Sequence, residues 1–476
     1  MKRLFFFYSS LLTGFSAGSQ SGSAREAVLD LKGKDFKKES IISLNVNWEF
    51  YNNALLTPAD FKRSDGTVKP DTLIKPGSRN DIKLKGKEIG GEGFATYRLK
   101  IINVPKRQLV LDAYSIQTSC RIFINDSMAA EVGKPGTSKG TTLPMNRDVQ
   151  LNIPFGPGEV QIIVQMANFH HRKGGFVHPF ELGTQEAIGK QRLIYYILDF
   201  TESSALAIMG LFLFALYVFR RKDMAVLYFS LFCITLSFRP VISVNYLLSA
   251  LFTGINWNLL LKIEYLAVLF PCFFMMLFIK KLFPDQLKNI TVKILTGILL
   301  IKIFITIFFS PAVFSWLIPV LLVIIPLGVL IFTVTIIRAI IAKVEGAPFA
   351  GAGLVILLAS LLLKVMVYAG IISPVHVLIT ILDIGFIFMM SLILGSRFSL
   401  QFSKVERLQK KTELQHEEIL KQKLEVESQR EILEEKNKDI IDSINYAKRI
   451  QTSLLPTEKY IERMLNHLMK RRDNSK

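Results

Sequence analysis

Three regimes of hydrophobic patterning divide the chain. Between residues 22 and 200, short runs alternate apolar with polar positions or gather aromatic and β-branched residues. They are IISLNVNWEFY (41–51), FATYRLKII (94–102), QLVLDAY (108–114), CRIFIN (120–125), DVQLNI (148–153) and EVQIIVQM (159–166). Clusters of Gly, Pro, Asn and Asp punctuate them: KPGSRND, NDS, GKPGTSKG and PFGPGE. A period of two between turn signals predicts strands. Strands at this spacing, with no helical run between them, predict an antiparallel β-sandwich over 22–200 and disfavour a parallel α/β sheet.

From Ser203 the pattern becomes long and continuously apolar, in seven runs: 203–220, 224–244, 257–280, 291–311, 314–337, 348–372 and 375–396. Each is close to the roughly 20 residues that cross a bilayer, so 203–397 is expected to be a seven-helix transmembrane bundle. Pro319 and Pro326 fall in the fifth run and predict kinks there. The start of the second span and the 240–256 stretch are the least defined.

Beyond Phe402 the chain turns polar and charge-dense, with no Pro or Gly before Pro456. One heptad stripe runs through Val405, Thr412, Ile419, Val426, Leu433, Ile440, Ala447 and Leu454. The stripe three residues on, Leu408, Gln415, Gln422, Gln429, Lys436, Ser443 and Ile450, is mostly polar. This predicts a weakly packed parallel coiled coil over 403–455, with a solvated single helix as the alternative, followed by a basic tail, 456–476.

Composition and charge refine this picture. Half of the 476 residues are hydrophobic and the net charge is +19, which first suggests nucleic acid. Its placement argues otherwise. Residues 203–402 carry 14 Lys/Arg against 5 Asp/Glu, and ten of the 14 lie in joins that share one side of the membrane. The positive-inside rule places RRKD (220–223), KKLFPDQLKNITVK (280–293), RAIIAKVEG (338–346) and GSRFSLQFSK (395–404) in the cytoplasm. The N-terminus, MKRLFFFYSSLLTGFSAGSQS, reads as a signal peptide over 1–18, with a buried strand as the alternative. Both signals put the sandwich outside and the C-terminus inside, as in a multi-pass protein of the inner membrane. Three cysteines, two of them in apolar runs, give no disulfide framework.

Candidate chemistry is sparse. Asn168, His170, Arg172, Trp48 and Tyr97 offer the polar and aromatic mixture of a carbohydrate or small-molecule site. The alternative is that Trp48 and Tyr97 are core and the loop is a turn. His170 and His171 point to opposite faces of a regular strand and cannot chelate a metal from it. His416, in LQHEEIL, reads as a solvated position rather than a phosphoacceptor. Within the spans, Lys364 and Asp383 lie nine residues either side of the Ser373–Pro374 join and so at equal depth, which predicts an intramembrane ion pair. Glu264 and Lys302 fall in the same half of their spans. No catalytic residue, metal site or cofactor is expected.

The order of these segments resembles the bacterial seven-transmembrane receptors with diverse intracellular signalling modules. NVNWEFYNNALLTPADF (45–61), GFATYRLKI (93–101), SCRIFINDSMAAEVGKPGTS (119–138) and MANFHHRKGGFVHPFELGT (166–184) carry the likeness. It implies a jelly-roll, galactose-binding-like sensor domain and a signalling role without nucleic-acid partners. In addition, IIDSINYAKRIQTSLLP (440–456) is similar to the lead-in helix of sporulation and sigma-regulator type serine phosphatases. That family's metal-binding aspartates have no counterparts after Pro456. The resemblances imply a receptor that senses an extracytoplasmic ligand and signals through a parallel homodimeric or heterodimeric coiled coil. The partner implied is a cytoplasmic phosphatase or another signalling protein. A truncated or split receptor-type phosphatase is the alternative, and a transporter a more distant one.

Overall fold

A computed structural model describes residues 27–36, 41–63, 68–114, 116–154, 158–176, 178–243, 255–368, 371–372 and 375–473. The expected signal peptide, the Ser373–Pro374 join and most of the 240–256 stretch lie outside them. Two compact units are present, Met1–Ser396 and Arg397–Lys476.

The first unit opens with strands β1 (Val28–Asp30), β2 (Ile42–Ser43), β3 (Trp48–Asn52), β4 (Thr72–Ile74), β5 (Lys83–Leu84), β6 (Lys87–Glu88) and β7 (Gly93–Ile102). It continues with β8 (Leu109–Ala113), β9 (Ile116–Gln117), β10 (Ser119–Ile124), β11 (Ser127–Val132) and β12 (Val149–Ile153). The last are β13 (Val160–Asn168), β14 (Gly175–Phe176) and β15 (Glu181–Thr184). A seven-stranded sheet runs β11-β10-β13-β7-β3-β4 with β1 alongside β7, and a four-stranded sheet runs β12-β8-β15-β2. Alternation decides which face is buried. On β7, Ala95, Tyr97, Leu99 and Ile101 enter the core, while Arg98 and Lys100 turn to the other face and pair with Glu49 and Glu159. Leu109, Leu111, Ile153 and Leu182 of the second sheet enter the same core, so both sheets close on one apolar interior.

The structure corrects three expectations here. The pairing is not wholly antiparallel: β1 runs parallel to β7, with Val28 opposite Lys100. The reason is a free edge, since β3 pairs with β7 only as far as Arg98. The run 41–51 is two strands, β2 and β3, in different sheets. The chain crosses between them at Leu44–Asn47, where Trp48 Nε1 donates to the Leu44 carbonyl at 3.1 Å. Finally, Trp48 and Tyr97 are 0% and 1% exposed and pack against Phe176, tilted and edge-on, with ring centres 5.6 and 4.9 Å away. They are core residues and present no surface to a ligand. β11 escaped the sequence reading because SMAAEV is an edge strand with little to bury. The NDS turn that joins it to β10 places Asn125 at positive φ, which a short polar side chain tolerates.

A short helix, α1 (Pro58–Arg63), precedes the helical part of the chain. Among the described residues, seven helices are long and apolar enough to cross a membrane. They are α2 (Gln185–Phe219), α3 (Met224–Ser243), α4 (Trp257–Leu282), α5 (Asn289–Phe308), α7 (Ile318–Ile341), α8 (Ala347–Tyr368) and α9 (His376–Leu454), with α6 (Pro311–Trp316) a short turn before α7. α2 starts well before Ser203 because Thr184 caps it, its Oγ1 accepting from Ala187 N at 3.2 Å. Pro319 sits in the first turn of α7, where no intrahelical bond is lost, and Pro326 is interior to it. Close helix approach uses small residues: a Cβ at Gly210 of α2 would meet Ile234 and Ser230 of α3.

In the second unit α9 continues to Leu454, and α10 (Glu458–Asp473) follows the break at Pro456. As a single chain, this helix leaves its apolar stripe in solvent, including Ile419, Leu433 and Ile440.

Candidate functional site

The loop after β13, NFHHRKGG (168–175), is built as a rigid probe. Asn168 is 2% exposed and organises it from within. Its Nδ2 donates to the carbonyls of His171 at 2.6 Å, Gly91 at 2.9 Å and Lys173 at 3.1 Å. Its Oδ1 accepts from His171 N at 3.1 Å and His170 N at 3.3 Å. Arg79, from the turn KPGSRND, ties the neighbouring segments together. Its guanidinium donates to the carbonyls of Ile89, Gly90 and Glu92 and to Asn52 Oδ1, and its amide to Gly174 O at 2.7 Å. Asn80 Nδ2 donates to Arg172 O at 3.1 Å. A side chain at Gly174 would collide with Gly91 and Asn168, which is why the tip needs glycine.

So fixed, the loop meets the helices. His171 Nε2 lies 3.0 Å from the Tyr265 hydroxyl on α4, and Arg172 N donates to Ser315 Oγ on α6 at 3.1 Å. The Arg172 guanidinium lies 5.7 Å from the Trp316 ring centre. Next to them, Trp257 Nε1 donates to Asn146 Oδ1 at 3.1 Å, and His170 Nε2 lies 3.1 Å from Thr142 O. On the helical side Lys302, 2% exposed, donates to Phe314 O and approaches the Tyr265 ring. This lysine of α5 therefore holds α6 against Tyr265, and with it the platform on which the loop sits.

A second clamp roots α2 in the four-stranded sheet. Arg192 pairs with both oxygens of Asp112 on β8, Nε to Oδ2 at 2.9 Å and Nη2 to Oδ1. Gln191 Nε2 donates to Glu181 Oε2 at 3.0 Å. Burial holds the Asp112 carboxyl above its usual range, although Arg192 pulls it down.

Of the sequence-predicted site residues, Asn168, His170 and Arg172 come together in this loop, Asn168 buried within it and His170 and Arg172 against the helices, while Trp48 and Tyr97 lie apart in the core. Lys364 Nζ lies 2.7 Å from Asp383 Oδ2, and Ser360 Oγ donates to Asp383 Oδ1 at 2.6 Å. Glu202 of α2 lies within electrostatic reach of the same pair and of Arg239 of α3. Among the described residues no group of His, Cys, Asp and Glu is arranged to hold a metal. Arg79, Asn80, Arg192, Asp112, Tyr265 and Ser315 were not anticipated; only Asn80, in the turn cluster KPGSRND, gave a local sign.

The loop contact is expected to weaken in acid. Burial, with the cations of Lys173 and Arg172, pushes the His171 imidazole down to about 4 from an ordinary 6.5. Its Nδ1 lies 3.1 Å from the Lys173 carbonyl and 3.2 Å from the Lys173 amide, and its Nε2 lies 3.0 Å from the Tyr265 hydroxyl, so the neutral ring finds partners at both nitrogens. Above pH 6.5 the imidazole is neutral whether docked or free, and the contact is at full strength. Between pH 6.5 and about 4 only the free form takes up a proton, so stability is lost as pH falls through that window. Fluorescence of Trp316 should report the opening, and His171→Gln should remove that transition. His178, pushed down to about 3 by burial, adds a separate loss in the sheets that His171→Gln leaves in place.

Residues 196–397 match the family described as 7TM diverse intracellular signalling. No curated protein matches the chain. Partial likenesses to solved structures include β-glucuronidases. That of Faecalibacterium prausnitzii is 14% identical over 30% of this chain and 31% of its own, with a TM-score of 0.22. That of an uncultured Clostridium sp. is 17% identical over 31% and 29%, with a TM-score of 0.23. That of Ruminococcus gnavus is 15% identical over 30% and 27%, with a TM-score of 0.23. The chain thus spans less than a third of the length of these enzymes.

Proposed function

Because residues 196–397 belong to the 7TM diverse intracellular signalling family, we propose that the chain is a receptor that converts an event at its sheet domain into a change in its C-terminal helix. The observation that carries this reading is the clamped loop, whose His171 and Arg172 reach Tyr265 and Ser315. A ligand that displaces Asn168 or Arg79 would move the loop and, through Tyr265 and α6, the helices. The sheet domain, of jelly-roll type and galactose-binding-like, faces the periplasm in this reading, and its ligand is a small molecule or carbohydrate. The basic joins support that orientation, because Lys and Arg cluster at 220–222, 280–293 and 338–343. A reporter fused after Ser403 should then be cytoplasmic and one inserted near Lys139 periplasmic. Both on one side would overturn the orientation.

The output in this reading is a weak parallel coiled coil, formed with a second copy or with a related chain that bears a phosphatase or another signalling module. Weak packing keeps two arrangements within a few kcal/mol, as a relay requires. The test joins the two ends. With Ile440→Cys in membranes under oxidation, an intermolecular disulfide is expected. Tyr265→Phe or His171→Gln should change its rate by about five-fold or more, the lower end of ordinary coupling. Efficient cross-linking that ignores both substitutions would remove the junction from the signalling path, and no cross-linking at all would remove the dimer.

A further inference from the structure

The junction contains a groove that the relay described above does not use. It lies between the start of α2 and the start of α9, with Ile41 of the sheet domain against it, and is an open space of about 580 Å³. Small-molecule sites run from roughly 300 to 1,000 Å³, so this space is of the right size for a ligand. Its walls are apolar: Ile41, Ala187, Ile194, Leu378 and Ile381. Its polar groups are Lys190, Gln191, Tyr195 and His376; Gln191 Nε2 donates to Glu181 Oε2 and to the Tyr195 hydroxyl, and among the described residues no acidic side chain is part of the lining itself. The His376 and Tyr195 rings meet edge to face at 4.8 Å. His376 Nε2 is buried with no hydrogen-bond partner, an arrangement that proteins otherwise avoid and that a ligand atom would relieve.

From this geometry we infer that the groove binds a single-chain amphiphile with an anionic head, of the fatty-carboxylate kind. The apolar walls hold the alkyl chain. The carboxylate is drawn to Lys190 and accepts from the imidazole and the Tyr195 hydroxyl, charge-assisted bonds that a neutral sugar does not offer. A carbohydrate would need polar groups along the whole groove, and here they are four. The position gives the site a consequence. α2 is rooted in the sheets through Arg192 and Asp112, and α9 runs on to Leu454. A chain seated between their first turns sets the spacing of the sensor-linked helix and the output helix. This inference rests on the membrane-spanning receptor reading, but its test reads binding and not signalling.

The full chain in nanodiscs of zwitterionic lipid is labelled with a diazirine analogue of dodecanoate, and the adducts are mapped by mass spectrometry. Adducts are expected on 187–195 and 376–381, and unlabelled dodecanoate should suppress them while the neutral dodecanol does not. Lys190→Gln should weaken that competition about ten-fold, as loss of one charged hydrogen bond does. Leu378→Trp, at a half-exposed wall position, should abolish the adducts by filling the space. Labelling spread evenly over apolar faces such as Leu300, Ile301 and Phe304 of α5, or competition by dodecanol equal to that by dodecanoate, would overturn the proposal. If the Ile440→Cys disulfide ignores the junction while dodecanoate is still bound at the groove, the relay fails and the site stands.

Discussion

Replacing Arg192 with Met is expected to be among the most damaging single changes outside the core, at about 3–5 kcal/mol. Asp112 is 4% exposed, and Arg192 supplies hydrogen bonds to both of its oxygens. Burial already raises the Asp112 carboxyl, so the pair's attraction is set against a large desolvation cost. Without the guanidinium that cost stands alone, as a charge stranded beneath the first turns of α2. The thermal midpoint of the purified protein should fall accordingly. Asp112→Leu in the same chain should recover most of the loss, since two apolar residues strand nothing. A fall of less than about 1 kcal/mol for Arg192→Met would mean that water reaches Asp112 and that α2 is not anchored there.

How far the sequence could be read follows from how far each signal travels along the chain. The seven spans were legible because each is a local run of apolar residues whose only task is to exceed the thickness of a bilayer. β7, β10 and β13 were legible because FATYRLKII, CRIFIN and EVQIIVQM alternate over enough positions to show a period. β1, β2 and β15 were not, because two to four residues carry no period and their places are set by edges that other strands leave open. The loop at 168–175 stood out as unusual, but its role did not. Asn, His, Arg and paired Gly suit a sugar site and a docking tip equally well, and the partners that decide between them are Tyr265 and Ser315, 94 and 143 positions away. Trp48 and Tyr97 misled for the opposite reason. Aromatic rings line both binding sites and cores, and only the closure of the second sheet over them, through Leu109, Leu111 and Leu182, identifies them as core. Arg192 sits in QRLIYYILDF, which looks like an ordinary approach to a membrane. Its meaning lies in Asp112, 80 positions earlier on another element.

The charges inside the bundle lead to the second large effect, which is expected to be asymmetric. Lys364→Met and Asp383→Asn each break the 2.7 Å pair, but they leave different remainders. Asp383→Asn leaves an amine that still has the Glu202 carboxylate within electrostatic reach, and the new amide keeps an oxygen for the Ser360 hydroxyl. Lys364→Met leaves Asp383 and Glu202 within electrostatic reach of one another, with Arg239, which also reaches Glu264, as the remaining described cation within reach of Glu202. Two carboxylates in an apolar bundle repel and lack solvent, so this single change should cost the more, about 1–3 kcal/mol or above, read as lost folded yield in membranes. Adding Asp383→Asn to Lys364→Met should restore part of that yield, with a coupling of at least about 1 kcal/mol. Glu202→Gln should restore part of it as well, because removing either carboxylate relieves the same repulsion. Rescue by Asp383→Asn alone would reduce the cluster to a pair. Simple addition of the single losses would mean that Lys364 and Asp383 do not share an environment in the membrane, and that the seventh helix is held against the sixth by packing at Gly353, Phe386 and Met390 instead.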